Sequence, residues 1–231
     1  MILAVLQARM SSTRLPGKVM KPLLGRPMIL RQIERLSRSE RVDRLVAATS
    51  DHTSDDALAT ALRDAGVDVH RGPLDNVLAR YAGAVRAFGP ANHVVRLTAD
   101  CPLADWRVLD ACIALHLDGG FDFTANDLQR TFPHGLDVEV MTTAALGIAA
   151  REATAADERE HVTPFLYRRP ERFRLGSLTQ SEDQSAERWT VDTPADFDFV
   201  QRVYERLYPD NPAFTTEDVL ALDFRHTAID A

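Results

Sequence analysis

The 231-residue chain predicts an α/β fold, a mainly parallel sheet with helices on both faces. Through its first half, short apolar runs alternate with amphipathic stretches of helical length, the pattern of successive βαβ units. The runs are apolar at nearly every position, as strands covered on both faces are. Hydrophobic residues at 45% and charged residues at 26% are ordinary for a globular domain, so disorder is not expected.

Ile2-Leu3-Ala4-Val5-Leu6 opens the chain as a strand, and 28–36 carries Met28, Ile29, Ile33 and Leu36 at helical spacing. Arg44-Leu45-Val46-Ala47-Ala48 is the next strand, followed by a helix over 54–65 with Thr53 or Ser54 as N-cap. Val67-Asp68-Val69 is a short strand and 74–88 a helix; His93-Val94-Val95-Arg96-Leu97 is a strand and 106–117 a helix. The second half is less regular. It offers strands at 121–124 and 136–141, a helix at 144–152, and one at 158–167 that Pro164 interrupts. Strands at 173–178 and 188–191 follow. The helix at 194–207 is well marked by Thr193 and Pro194 at its start, and 216–222 is a last helix. Nothing resembles a linker, so 1–231 reads as one domain, with an insertion at roughly 119–175 forming an acceptor-side or dimerisation lobe over the sheet.

A net charge of −7 argues against general nucleic-acid binding, which calls for a basic surface. Positive charge is nevertheless concentrated near the start, in Arg9, Arg14, Lys18, Lys21 and Arg26, which suits a small anionic ligand. Cys101 and Cys112 match no zinc spacing and read as reduced thiols. No apolar run approaches the roughly 20 residues of a membrane span, and the first strand is too short for a signal-peptide core. A soluble cytoplasmic protein is expected.

The first strand runs into Gln7-Ala8-Arg9-Met10-Ser11-Ser12-Thr13-Arg14-Leu15-Pro16-Gly17-Lys18, a loop with three cations, three hydroxyls and one glycine. Such cations repel one another at the mouth of a sheet unless a polyanion neutralises them, and hydroxyls and free N–H groups add donors for phosphate oxygens. In open α/β sheets ligands bind beyond the carboxyl ends of the strands. Two more polar clusters fall there, Thr98-Ala99-Asp100-Cys101-Pro102-Leu103 and Asp192-Thr193-Pro194-Ala195-Asp196. Asp100 and Asp192 are candidates to hold Mg²⁺ on a nucleotide, since that ion takes one or two carboxylates plus phosphate oxygens and water. Each also has a plain structural reading. Asp100 before Cys101-Pro102 can cap a turn, and Asp192-Thr193-Pro194 is a helix-start signal, with Asp196 either a cap of that helix or a residue supporting the metal ligands from behind.

The opening loop resembles the first motif of the cytidylyltransferases that activate 3-deoxy-2-ulosonic sugars, the CMP-Kdo and CMP-acylneuraminate synthetases. The spore-coat polysaccharide F-type branch is the nearest likeness. Similar segments follow in matching order. They are Arg71-Gly72-Pro73-Leu74-Asp75-Asn76-Val77-Leu78-Ala79-Arg80-Tyr81, Arg96 to Leu103, Phe132 to Val140, Glu158 to Pro164, and Trp189 to Pro194. The resemblance implies a three-layer αβα, nucleotide-diphosphosugar-transferase-type fold. It implies CTP on the first loop, with Leu6, Ala8, Arg9, Ser12, Arg14, Lys18, Arg71, Asp75, Arg80 and Thr98 forming the nucleotide site. It also implies Mg²⁺ on Asp100 and Asp192, and an acceptor side of His134, Asp137, Glu139, Glu160 and His161. For His134 and His161 a core or surface histidine is the alternative. Asp137 and Glu139, alternating with Leu136, Val138 and Val140, fall on one face of a strand.

The expected activity is transfer of CMP from CTP to a small anionic sugar or ulosonic acid-type acceptor with release of pyrophosphate, by a homodimer. Arg14, Lys18 and Asp100 are the expected catalytic residues. Two other classes remain open: a glycosyltransferase of similar fold using a nucleotide-sugar, and a non-catalytic nucleotide-binding protein. Thr98-Ala99-Asp100 lacks the Asp-x-Asp pair common in the former, and the retention of both aspartates weighs against the latter.

Overall fold

The computed structural model describes residues 1–222. Strand β1 (Ile2–Gln7) ends in the cationic loop, which closes through a short 3-10 turn (Lys18–Met20). A two-stranded hairpin of β2 (Pro22–Leu23) and β3 (Arg26–Pro27) leads to helix α1 (Met28–Leu36). There follow β4 (Arg44–Ser50), α2 (Asp56–Asp64), β5 (Asp68–Gly72), α3 (Val77–Phe88), β6 (His93–Thr98) and α4 (Trp106–Gly119). The second half adds β7 (Phe123–Ala125), β8 (Glu139–Thr142), α5 (Thr143–Glu152), α6 (Ala156–His161), α7 (Pro164–Tyr167), β9 (Leu175–Ser177), α8 (Pro194–Leu207) and α9 (Thr216–Leu220).

The main sheet has the order β5-β4-β1-β6-β8-β7-β9, and β8 alone runs against its neighbours. Because successive side chains point to opposite faces, the central strands feed two cores. Ala4 and Leu6 of β1 pack with α1, α2, α4 and α8, whereas Leu3 and Val5 pack with α3, α5 and α7. The architecture is a three-layer αβα sandwich with a mostly parallel sheet, as the alternating pattern predicts. Residues 119–175 supply β7, β8 and the first residue of β9 to that sheet as well as α5, α6 and α7. No helix among the described residues is long and apolar enough to cross a membrane.

Several boundaries differ from the sequence reading for physical reasons. The run 188–191 does not join the sheet; it makes an isolated bridge between Arg188 and His134, and Val191 N–H donates to the Asp100 carbonyl at 2.8 Å. Residues 136–138 lie outside β8, because the Asn126 side chain takes the place of a neighbouring strand there. Its amide donates to Leu136 O and accepts from Val138 N–H, both at 2.8 Å. Asp137 therefore does not share a strand face with Glu139. Between α6 and α7 the chain breaks at Val162 (φ 72°), with Pro164 opening the second helix. At Gly135 (φ +104°) a Cβ would lie 2.9 Å from the Trp189 backbone, so this close crossing of two chain segments requires glycine.

His116 of α4 is buried, with hydrogen-bonding distances of 3.0 Å to both His93 and Thr124. Burial, reinforced by the neighbouring His93, lowers its pKa to about 4 from 6.5. The unfolded chain therefore takes up this proton first as pH falls, and the fold loses stability between about pH 6.5 and 4. His116 alone accounts for about 2–3 kcal/mol of that loss. Urea unfolding as a function of pH is predicted to show this slope, and His116→Gln to flatten it; an unchanged slope in the variant contradicts the assignment.

Candidate active site

β1 and β6 are adjacent and parallel, with Gln7 beside Thr98, so the loops leaving their carboxyl ends face one another. Between them lies a cavity of about 390 Å³. One side is the cationic loop, with Arg9, Ser12, Thr13, Arg14 and Lys18 on the wall. Thr98, Ala99 and Asp100 come from the end of β6, Asp192 from the turn before α8, and Glu160 and His161 from the end of α6.

The loop is tied down at Met10. Its carbonyl accepts from both Ser12 N–H and Gly17 N–H at 2.9 Å, and its own N–H donates to Asp55 at 2.7 Å. Gly17 takes a left-handed conformation (φ 71°), which closes the loop into the 3-10 turn. Asp55 is wholly buried and also accepts from the Ser50 N–H and hydroxyl. Burial alone would raise its pKa; the hydrogen bonds from Ser50 and Met10 outweigh that and hold it below the usual carboxylate value. This second role explains why α2 starts later than the sequence pattern predicts. The Asp55 carboxylate serves the loop, and a 3-10 turn (Thr53–Asp55) capped by His52 precedes the helix.

At the centre, the buried Lys18 ammonium donates to Val191 O at 2.6 Å, Asp192 Oδ1 at 3.1 Å and Asp100 Oδ2 at 3.4 Å. Arg14 approaches the same Asp192 oxygen at 3.0 Å while its side chain stays 63% exposed. Arg9 has no ion-pair partner among the described residues. Burial would raise the Asp100 pKa, but Lys18 and hydrogen bonds from the Thr98 and Cys101 side chains bring it below the ordinary value. Asp100 is therefore ionised at neutral pH. Two carboxylates that converge on one ammonium offer hard oxygen donors to one cation, a donor set suited to a Mg²⁺-like ion completed by phosphate oxygens and water. Among the described residues no group of three or more His, Cys, Asp or Glu side chains is placed to hold a metal without such help.

Ten of the sequence-selected residues lie on this wall: Ala8, Arg9, Ser12, Arg14, Lys18, Thr98, Asp100, Glu160, His161 and Asp192. The others are placed elsewhere. Leu6 is buried within β1 beneath the loop. Arg71 is spent on Ser50 O, His52 O and the Asp56 carboxylate at 2.7–2.9 Å. Asp75 lines a second cavity of about 810 Å³, beside Asp51 and His52. Arg80 is fully buried and donates to Leu74 O at 3.0 Å. His134 is exposed, Asp137 pairs with Arg130 at 2.5 Å, and buried Glu139 pairs with Arg96 while accepting from the Thr163 hydroxyl at 2.6 Å. Gln7 and Arg96, which the sequence reading did not assign, do face the cavity. Their signal was present: each is a polar residue in or at the end of an otherwise apolar strand.

The sequence profile described as "Cytidylyltransferase" matches residues 3–216, nearly the whole of the described chain. The chain belongs to the cytidylyltransferase family. It is 34% identical over 212 residues to the spore coat polysaccharide biosynthesis protein SpsF of Bacillus subtilis (strain 168), covering 89% of this chain and 87% of that one. Among solved structures it is similar to a cytidylyltransferase from Leptospira borgpetersenii serovar Hardjo-bovis (strain JB197), with a TM-score of 0.89 and 32% identity over 95% of this chain and 92% of that one. The fold is also that of a CMP:2-keto-3-deoxy-manno-octonic acid synthetase complexed with CTP, at a TM-score of 0.68 and 16% identity, covering 89% and 98% of the two chains.

Asp55→Ala strands three donors at the base of the loop, the two on Ser50 buried, and is predicted to cost about 2–4 kcal/mol of stability in urea unfolding. Limited proteolysis within residues 9–18 is predicted to accelerate in that variant. Native stability and unchanged cleavage contradict the anchoring role.

Proposed function

We propose that this cytidylyltransferase moves CMP from CTP to an oxygen of a small anionic sugar-type acceptor, releasing pyrophosphate. The observation that carries the reading is the single cavity in which a three-cation, hydroxyl-bearing loop faces two converging aspartates. A triphosphate needs the first half and a divalent cation the second, and neither half is balanced by charge alone once a nucleotide enters.

In this reading Asp100 and Asp192 hold Mg²⁺, which when bound neutralises charge on the phosphate oxygens. Arg9, lacking an ion-pair partner among the described residues, is available to the triphosphate. Arg14 and Lys18 leave the Asp192 oxygen for phosphate oxygens and stabilise the charge that builds on the leaving pyrophosphate. Ser12 and Thr13 add hydroxyl donors to the same group. The acceptor oxygen attacks the α-phosphorus in line, forming the new O–P bond as the bond to the β-phosphate oxygen breaks. The protein's work is to position the two reactants and to place charge. Glu160 and His161, on the wall contributed by α6, are the titratable groups beside the acceptor and the route for a hydroxyl proton. A small anionic sugar or ulosonic acid-type acceptor, the class the resemblance implies, suits the positive charge that Arg9, Arg14 and Lys18 bring to the cavity wall.

Pyrophosphate release from each nucleoside triphosphate against ulosonic acids and sugar phosphates tests this directly. CTP with Mg²⁺ is predicted to support turnover, and Lys18→Ala to lower it by on the order of 10²–10³-fold. Release of a free nucleoside diphosphate from a nucleotide-sugar, or near-normal turnover by Lys18→Ala, contradicts the proposal.

A further inference from the structure

The two oxygens of Asp192 are divided between cations inside and outside the cavity. Oδ1 takes Lys18 at 3.1 Å and Arg14 at 3.0 Å, both on the cavity wall. Oδ2 takes Arg188 Nη2 at 2.6 Å, and Arg188, 44% exposed, is not part of that wall. The other arm of the guanidinium, Nη1, donates to Asp196 Oδ1 at 2.8 Å. Asp196 is itself immobilised, because its Oδ2 accepts from Asp192 N–H at 2.9 Å and Thr193 N–H at 2.7 Å in the capping box of α8. One planar fork thus spans two carboxylates four residues apart, with the far one fastened to a helix N-terminus.

We propose that Arg188 is a positioning residue for cytidylyl transfer: the Asp196–Arg188–Asp192 strap holds one oxygen of Asp192 and presents the other to the cavity. The inference rests on the reading that Asp192 binds a divalent cation with the nucleotide. When Lys18 and Arg14 turn to phosphate oxygens, Asp192 loses both of its cavity-side partners. Arg188 is then the side chain that keeps the carboxylate from rotating away. A guanidinium does this with two donors in a fixed fork; an ammonium is a point charge on a flexible stem and fixes the direction of neither carboxylate.

The sign of the effect separates positioning from simple charge. A cation close to a metal site repels the metal, so removing a merely adjacent charge tightens metal binding. Removing a residue that orients a ligand loosens it, by about tenfold to a hundredfold in other metal sites. The test is Mn²⁺ binding in the presence of CTP, read from the electron paramagnetic resonance signal of the free ion. It is run on the wild type, Arg188→Gln and Arg188→Lys, with melting temperatures and Mg²⁺ dependence of the rate measured alongside. Both variants are predicted to bind Mn²⁺ at least about tenfold more weakly. They are also predicted to need correspondingly more Mg²⁺ for half-maximal rate while keeping most of kcat at saturating Mg²⁺. Unchanged or tighter binding by Arg188→Gln overturns the proposal, as does full rescue by Arg188→Lys or a loss that only mirrors a lowered melting temperature. If the wild type binds no Mn²⁺ with CTP, the reading of Asp192 as a metal ligand falls, and the positioning role with it.

Discussion

The Lys18 ammonium is the point on which this molecule closes. It is 8% exposed, and a charge so placed must be paired. Its partners, Asp100, Val191 and Asp192, come from two segments far along the chain. The loop after β1, the end of β6 and the turn before α8 are therefore bound to one another through a single side chain. The sheet prepares this meeting by laying β1 beside β6 in parallel register, and Val191 N–H completes it on the Asp100 carbonyl.

The same contact shapes the chemistry of the cavity. Without a nucleotide, Lys18 and Arg14 are paired with Asp100 and Asp192, while Arg9 has no ion-pair partner among the described residues. That pairing reduces the mutual repulsion of the like charges gathered in one pocket. A ligand that carries its own cation and its own phosphates can replace both halves of each pair at once, whereas a bare anion or a bare metal satisfies only one half. In the proposed reading the pairing favours joint entry of metal and nucleotide, a coupling that is reciprocal by thermodynamic necessity.

Local signals were read to the residue where the structure depends only on local physics. The helix at 28–36 follows from its apolar spacing, and the helix at 194–207 from Thr193 and Pro194 at its start. Failures of the sequence reading came where a distant group intervened. Residues 188–191 have strand-like composition, but their partners are the carbonyl of Asp100 and a bridge to His134 instead of a sheet edge. Asn126 displaced the predicted start of β8, and the demand of the cationic loop on Asp55 displaced the start of α2. In the site, the order of polar segments along the chain was legible because each follows the carboxyl end of a strand or a short extended segment. The direction of individual side chains was not. Arg71 and Arg80 belong to one of the segments that carry the resemblance yet are held by backbone carbonyls away from the cavity, and Gln7 and Arg96 face into it.

The central claim is that one cavity receives the triphosphate on the first loop and the cation on Asp100 and Asp192. A crystal structure with CTP and a divalent cation tests it most directly. The account predicts the triphosphate against Arg9, Arg14 and Lys18, the cation on both aspartates, and Lys18 moved from Asp192 to phosphate. A nucleotide seated in the second cavity beside Asp51 and Asp75, or a cation held without either aspartate, contradicts it.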